Sequence, residues 1–422
     1  MRPPFFYGWL IVGVAFVTMA IGVNARTAFS LLFPPILAEF GWPRATTAGA
    51  FSVGFLVSAV LSPLLGRLMD RFGPRVVIEL GVAAAALGLM AASLTSQPWH
   101  LHLTLGALVA TGGVCLGYTG QALFLPNWFA RRRGLAMSIA YSGVGAGSIV
   151  LLPLVQALID RFGWRWTCLA MGVVVLVLLA PLNLLLRKTP QEMGLLPDGD
   201  PVLPSGAQPK HGLRVVDAAW AATDWTLARA AATARFWWIA TGFACGLFAW
   251  YGVQVHQTKY LVEVGVSAGL AAWALGFVSL AGVPGQIALG HLSDRIGREW
   301  VWTIGAIGFA VCYAALLLMS DSPQPGLLWT MVVSQGLLGY GLSSVVAAIV
   351  ADIFQGRRFG TIMGTLMGFG IVGGALGPWA LGLAYDATGS YAPGFWIAIG
   401  CCLLSAIAIW LAAPRKIRAV SG

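Results

Sequence analysis

The chain has 422 residues, of which 58% are hydrophobic and only 9% are charged. Soluble domains carry about 25% charged residues, so this composition excludes a water-soluble globular protein. The formal net charge of +10 would suit a nucleic-acid-binding protein, but in so apolar a chain we attribute it to loops that contact anionic lipid. The expected surroundings are therefore a lipid bilayer, with no nucleic-acid partner.

Long apolar segments follow one another along the chain, and each can cross about 30 Å of hydrocarbon as a helix. Strands of a β-barrel would instead alternate over about ten residues. The first segment is too long for a signal peptide and lacks a small-residue cleavage site, so it is predicted to be the first span. In chain order, the twelve predicted spans lie near 7–33, 45–68, 76–95, 100–127, 135–159, 165–186, 234–262, 267–291, 300–319, 327–353, 361–385 and 393–412.

The longest polar stretch, residues 188–232, separates the sixth span from the seventh. It divides the chain into an N-terminal six-helix bundle (1–187), a cytoplasmic linker (188–232) and a C-terminal six-helix bundle (233–422). Residues 224–230 within it are predicted to form a helix at the membrane interface, with Asp224 as a candidate N-cap.

The distribution of positive charge predicts the orientation in the membrane. If Met1 is cytoplasmic, 20 of the 25 Lys and Arg residues fall in cytoplasmic segments, and the reverse topology would invert this bias. Both termini are therefore predicted to be cytoplasmic, in a multi-pass protein of a bacterial-type inner membrane.

Three loop sequences occur twice. Residues Gly66–Arg75 read GRLMDRFGPR and Gly290–Arg298 read GHLSDRIGR, at an offset of 224 positions. The other two pairs are 131–134 with 357–360 and 160–163 with 386–389. These paired landmarks predict a duplication of six spans plus six.

The repeated pattern G-x-x-x-D-R-x-G-x-R resembles the signature loop of the major facilitator superfamily. The N-terminal half is similar to the monocarboxylate porters and their oxalate/formate-antiporter relatives in Tyr7–Trp9, Asn127–Ala136 and Asp160–Arg165. The resemblance implies an all-α integral membrane fold of twelve transmembrane helices in two pseudo-symmetric six-helix bundles. It also implies a transporter that works by alternating access, not an enzyme.

The chain departs from these porters at positions that bind their substrates. Span eight carries Ser279 and Val283 roughly where monocarboxylate porters have an Asp and a carboxylate-binding Arg. Span eleven has no Lys where the oxalate antiporter has one. The usual Lys of span one is also missing, but Arg26 lies about one position from it.

Arg26 is the outstanding candidate for substrate binding, because the resemblance implies that spans one, four, seven and ten line a central cavity. A charged arginine at mid-membrane costs about 2.5–3.5 kcal/mol on the lenient insertion scale, and span one contains no Asp or Glu. A carboxylate substrate would bind the guanidinium in bidentate geometry. The alternative is that Arg26 extends outward to the headgroups.

Polar residues of the lining spans complete the predicted substrate site. The full set is Asn24, Arg26, Tyr118, Gln121, Gln254, His256 and Tyr340. His256 is also the candidate for proton coupling, because histidine titrates in the physiological range. The alternative for His256 is a hydrogen-bonded packing role near the outer edge of the span. For Tyr118, Gln121 and Tyr340, the alternative is hydrogen bonding between neighbouring helices.

The paired loops are predicted to act as a conformational latch on the cytoplasmic side. Their charged residues are Asp70, Arg71 and Arg75 in the first copy and Asp294 and Arg295 in the second. Exposed charge pairs cost little to break, which suits a carrier that alternates between two states. Ordinary solvated turn charges are the alternative.

The position of the acidic residues favours an anionic substrate. All fifteen lie at span ends or in loops, so no mid-membrane carboxylate holds a cation. The predicted function is transport of a small organic anion, most simply a monocarboxylate, with proton symport. Anion exchange and efflux of a larger, weakly polar compound are the alternatives. The six cysteines show neither disulfide nor zinc spacing, so no metal and no cofactor is expected, and the carrier is expected to act as a monomer.

Overall fold

The computed structural model describes residues 6–42, 44–199, 214–320 and 324–419. The middle of the predicted linker (200–213) lies outside the described residues, as do the first five residues. The α-helices are α1 (Tyr7–Thr27), α2 (Phe29–Phe40), α3 (Arg44–Ala92), α4 (Pro98–Leu101), α5 (Val109–Leu116), α6 (Tyr118–Ala122), α7 (Arg133–Val174), α8 (Ala180–Asn183), α9 (Ala218–Ala221), α10 (Leu227–Ala231), α11 (Ala234–Glu263), α12 (Ala268–Ile296), α13 (Arg298–Met319), α14 (Pro325–Val333), α15 (Gly341–Phe354), α16 (Phe359–Thr388) and α17 (Ala392–Ala412).

Shorter elements join these helices. Segments of π-helix cover His102–Leu108, Val175–Leu179 and Ser334–Gly339, and 3-10 turns cover Leu125–Asn127, Pro190–Met193, Pro197–Gly199 and Pro414–Lys416. Two short strands, β1 (Arg214–Val215) and β2 (Arg418–Ala419), pair antiparallel, with Arg214 opposite Ala419. Proline begins α4 and α14, since the first turn of a helix needs no N–H group there.

Ten helical stretches in the described part of the chain are long and apolar enough to cross a membrane. Two of them, Val53–Ala92 and Arg133–Asn183, have 40 and 51 residues. At 1.5 Å per residue they extend about 60 and 77 Å, which is too long for a single crossing. Each contains one residue with non-helical backbone angles, Gly73 (φ 76°, ψ 174°) and Gly163 (φ 81°, ψ 162°). Division at these two glycines gives the twelve-helix arrangement predicted from the sequence.

The first span differs from its predicted bounds of 7–33. Its helix continues to Phe40 but is interrupted at Ala28, which separates α1 from α2. The backbone remains hydrogen-bonded through the interruption, since the Ala28 N–H donates to Asn24 O at 2.8 Å. The predicted extent was too short because Pro34 and Pro35 mark a break in sequence, whereas both lie inside α2.

The prediction that Asp224 caps the interfacial helix was wrong. The helix in this region is α10, and Thr226 is its N-cap because the Thr226 hydroxyl accepts from the Arg229 N–H at 3.2 Å. Asp224 accepts instead through its backbone oxygen, from Arg229 Nη1 at 3.1 Å. Thr226 takes the capping position because it directly precedes the first helical residue, Leu227, whereas Asp224 lies two residues farther from the helix.

The chain forms two compact units. One comprises Met1–Phe129 and Gly143–Val202, and the other comprises Ala130–Ser142 and Leu203–Gly422. In the second unit, the linker and the C-terminal segment pack against the end of α15. The Trp220 indole donates to Ile353 O at 2.9 Å, and the Trp225 ring lies 5.1 Å from the Phe354 ring.

Glycines bring α11 and α16 into backbone contact within the second unit. A Cβ on Gly373 would lie 2.1 Å from the carbonyl oxygen of Ala244, and one on Gly377 would lie 2.2 Å from that of Phe248. Small residues permit this approach, and membrane helices associate through close van der Waals packing of this kind.

We expect Gly373→Ala to destabilise the protein, because the added methyl group forces the two helices apart and overpacking costs about 1–3 kcal/mol. The melting temperature of the detergent-purified protein should fall by several degrees. Gly400→Ala is the matched control, since a Cβ there has no neighbour within 4 Å. Equal melting temperatures for the two variants would contradict the packing argument.

Candidate functional site

Arg26 lies in the last turn of α1, and its side chain packs inside the first unit. Its Nη1 donates to Ser58 Oγ at 3.4 Å, and its Cζ lies 4.8 Å from the centre of the Phe55 ring, within cation–π range. A Cβ on Gly113 would lie 3.2 Å from Arg26 Cδ. Because Ser58 and Phe55 belong to α3 and Gly113 to α5, the half-buried guanidinium lies among the first, second and fourth spans.

A cavity of about 10 Å³ adjoins Arg26, with room for about one water. Apolar side chains, including Phe29, Leu32, Leu105 and Val109, form most of its lining. The Arg26 side chain is the charged group of this lining. The low polarity around it strengthens any electrostatic interaction that the guanidinium makes there.

Asn24 lies two residues before Arg26 and is 2% exposed. Its amide nitrogen donates to Ala20 O at 2.8 Å and to Val144 O at 3.0 Å, and its oxygen accepts from Ser148 Oγ at 2.8 Å. Both amide hydrogens are therefore used in tying α1 to α7. Its predicted contact with substrate stays a prediction.

The fourth span is interrupted at Gly117 (φ −90°, ψ −159°), which separates α5 from α6. Tyr118 begins α6 and is half-buried. Gln121 is fully buried, and its Nε2 donates to Leu116 O at 3.3 Å. Its Oε1 has no hydrogen-bond partner among the described residues. Gln121 thus offers a buried acceptor next to the interruption.

In the second unit, Tyr340 lies at the corresponding interruption of the tenth span. It follows the π-helical segment Ser334–Gly339 and precedes α15. Gln254 Nε2 donates to the Tyr340 hydroxyl at 3.4 Å, the Trp250 ring centre lies 4.6 Å from the tyrosine ring centre, and a Cβ on Gly282 would lie 2.9 Å from the tyrosine ring. The structure thus brings together two of the predicted site residues, Gln254 and Tyr340.

His256 contacts a different set of neighbours from Gln254. Residues two positions apart on an α-helix are rotated by about 200° from each other. The side chains of Gln254 and His256 therefore leave α11 on nearly opposite sides. His256 Nε2 lies 2.8 Å from the carbonyl oxygen of Pro378 in α16, and its ring centre is 5.4 Å from that of Tyr391. It is not brought together with Tyr340.

The first copy of the repeated loop is bound to the end of the sixth span. Arg75 Nε donates to Leu184 O at 2.8 Å, and Lys188 Nζ donates to the backbone oxygen of Asp70 at 2.6 Å. Arg71 is exposed and lies over the ring of Phe72, at 5.0 Å from its centre. Basic side chains on a helix C-terminus are favoured by its exposed carbonyl groups.

The second copy of the loop holds the start of α7. Asp294 Oδ1 and Oδ2 accept from the Gly134 and Leu135 N–H groups, both at 3.0 Å. Arg298 Nη1 lies 2.5 Å from Asp294 Oδ1. A carboxylate at a helix N-terminus satisfies unpaired N–H groups and is favoured by the helix dipole. Arg295 is exposed and makes no ion pair in the part of the chain that the structure describes.

The sequence analysis missed the residues that complete this cluster. Asp352 accepts from Arg133 Nη1 at 2.7 Å through Oδ1 and from Arg298 Nε at 3.2 Å through Oδ2. All three side chains are at most 3% exposed. Two signals were present, since Arg298 ends the second copy of the loop, one position before the place of Arg75, and Arg133 belongs to a repeated basic loop. Nothing in the sequence indicated that Asp352 pairs with both.

Comparisons with known proteins agree with this architecture. The profile of the Major Facilitator Superfamily matches residues 14–345 and 259–421. Monocarboxylate transporter 13 of Bos taurus is 28% identical, over 97% of this chain and 90% of its own length. Monocarboxylate transporter 11 of Homo sapiens is 26% identical, over 97% and 84%.

A solved structure shares the fold. The fucose:proton symporter of E. coli superposes with a TM-score of 0.70 at 17% identity, over 97% of this chain and all of its own. Its similarity supports the twelve-helix fold and says nothing of substrate. Since the family profile covers nearly the whole chain, the chain belongs to the major facilitator superfamily and is a multi-pass membrane transporter.

Proposed function

We propose that the protein is a secondary active transporter that moves a small organic anion, most simply a monocarboxylate, by alternating access. The single observation that carries the proposal is the position of Arg26, a guanidinium half-buried among membrane helices beside an apolar cavity. An arginine in such surroundings binds a carboxylate through two parallel charge-assisted hydrogen bonds. The names of the monocarboxylate transporter relatives support the same substrate class.

Neutral polar groups are proposed to recognise the remainder of the substrate. The Gln121 oxygen is buried at an interrupted helix, and the Gln254 and Tyr340 pair follows a π-helical segment. Discontinuous helices in transporters expose polar backbone and side-chain groups at binding sites. Tyr118 and Asn24 belong to the same proposed site in the first unit.

Proton symport is proposed, with His256 as the proton-binding residue. Its Nε2 lies 2.8 Å from the carbonyl oxygen of Pro378. Because a carbonyl oxygen can only accept a hydrogen bond, we assign the proton of the neutral imidazole to Nε2. Nδ1 is then the atom that takes up a second proton. The orientation proposed from charge is that both termini are cytoplasmic, in the inner membrane of a bacterial-type cell. We propose that the transporter works as a monomer.

The charged loops are proposed to act as the latch of this cycle. In one state Asp294 caps the start of α7 while Asp352 holds Arg133 and Arg298. In the other state these bonds break and residues 130–142 are released. The other charged residues of the two loops are also proposed to take part in the latch. They are Asp70, Arg71, Arg75 and Arg295.

Transport is tested by uptake of C2–C4 monocarboxylates into proteoliposomes, with and without an inward proton gradient. Arg26→Ala should lower uptake at least about tenfold, because hydrogen bonds to charged groups contribute about 1.5–3 kcal/mol. Arg26→Lys should retain part of the activity, since it keeps the charge and loses the bidentate geometry. Arg161→Ala, which removes an exposed positive charge, is the control.

Two outcomes would refute the anion site: no carboxylate moves, or Arg26→Ala transports as well as Arg161→Ala. A proton gradient that stimulates uptake supports symport. Stimulation by an internal carboxylate, without an effect of pH, would establish anion exchange instead.

The latch is tested by hydrogen–deuterium exchange of residues 130–142. Asp294→Asn should speed exchange at Gly134 and Leu135, because the neutral amide accepts more weakly than a carboxylate and no longer attracts Arg298. Asp386→Asn removes an exposed carboxylate elsewhere in the second unit and should leave this segment unchanged. Identical exchange in the two variants would count against the role of Asp294.

A further inference from the structure

A second cavity, of about 200 Å³, lies at the start of α13 in the second unit. We call it the basic cavity, because its lining includes Arg295, Arg298, Arg415 and Arg418 together with Glu299 and Asp352. By the same measure of volume one water needs about 10–15 Å³, so the cavity has room for several waters or for a phosphate group. The proposed latch shares Arg295, Arg298 and Asp352 with its lining, but no proposed substrate contact lies there.

The charges of the basic cavity leave it positive. The two oxygens of Asp352 are bound by Arg133 and Arg298, and Glu299 Oε1 accepts from the Arg415 N–H at 3.0 Å. Four arginines thus face two carboxylates that already accept hydrogen bonds. Such an excess of guanidinium groups attracts an anion and binds phosphate well.

Arg298 lines this cavity and has one donor without a partner. Its side chain is 2% exposed, and its Nε and Nη1 bind Asp352, Asp294 and Ser293. Its Nη2 is buried and has no hydrogen-bond partner among the described residues. A buried charged donor without a partner carries a substantial desolvation cost, which an anion bound in the cavity would remove.

The backbone adds further donors. Helix α13 has 22 residues, and no side chain caps its N-terminus at Gly297. Gly297 and the first residues of α13 line the basic cavity. The unpaired N–H groups and the positive end of the dipole at such a terminus form a favourable position for a phosphate group.

The aromatic residues beside the cavity indicate the level of the lipid headgroups. The Arg415 guanidinium lies 4.4 Å from the Trp410 ring centre, and Trp410 is 5.1 Å from Trp300, ring centre to ring centre. Trp300 is 52% exposed and also lines the cavity. Tryptophans concentrate at the membrane interface, where phosphate groups of lipids are abundant.

We propose that the basic cavity binds a phosphate group, carried by an anionic lipid headgroup or by a free phosphate compound. This site is separate from the proposed substrate site, so it is tested without a transport assay. The phosphate would contact Arg298 Nη2, the α13 N-terminus, Arg295 and Arg415. Since Arg298 also holds Asp294 and Asp352, bound phosphate would stabilise the proposed latch.

The test uses the full-length protein in a neutral detergent. Short-chain dioctanoyl phosphatidic acid, inorganic phosphate and dioctanoylglycerol are titrated separately, and the melting temperature is followed. Phosphatidic acid should raise it saturably, with one bound lipid in native mass spectrometry, and dioctanoylglycerol should not. Saturation by inorganic phosphate at a similar concentration would assign the site to a free phosphate compound, and saturation by the lipid alone would assign it to a headgroup.

Two double variants distinguish binding in the basic cavity from general attraction between the anion and the positive charge of the protein. Arg295→Gln with Arg415→Gln should weaken binding at least about tenfold, whereas Arg357→Gln with Lys416→Gln, which removes two exposed charges outside the cavity, should not. If the first pair lowers the melting temperature without ligand, Arg295→Gln alone replaces it. No binding of either phosphate probe, or equal weakening in the two pairs, would overturn the proposal.

Discussion

The structure depends on one constraint: inside hydrocarbon, every backbone N–H and C=O group must find a partner within the protein. Regular helices meet it along most of each span, so a departure from regular geometry needs local compensation. Such departures occur at Ala28, at Gly117 and in the segment Ser334–Gly339. Arg26, Tyr118 and Tyr340 lie within two residues of them. Three of the proposed substrate contacts therefore lie beside irregular backbone in the spans.

Charged side chains obey the same constraint by pairing at helix ends. Asp294 satisfies two N–H groups of α7, and Asp352 binds two buried arginines. Buried ion pairs add little net stability, but removal of one partner is costly. This asymmetry suits a latch, since the charges exchange partners between states and are not buried alone.

The sequence predicted the twelve helices because apolar length and repeated loops depend only on local composition. It did not predict the interruption at Ala28, since nothing about alanine disfavours a helix there. The sequence also did not show that Thr226, and not Asp224, is the N-cap of α10, because both residue types cap helices well. The pairing of Asp352 with Arg133 joins residues 219 positions apart, and single-sequence patterns carry no such information.

The π-helical segment Ser334–Gly339 of the tenth span affects the direction in which the Asp352 side chain leaves α15. A π-type turn accommodates one extra residue within an α-helix, and each residue advances the helix by about 100°. The extra residue of the π-helical turn thus sets the rotation about the helix axis of every later residue in α15, including Asp352, which lies more than ten residues further along. Loss of that single residue would turn the carboxylate away from its two arginines, so the length of this segment is constrained as strictly as the identity of the acid itself.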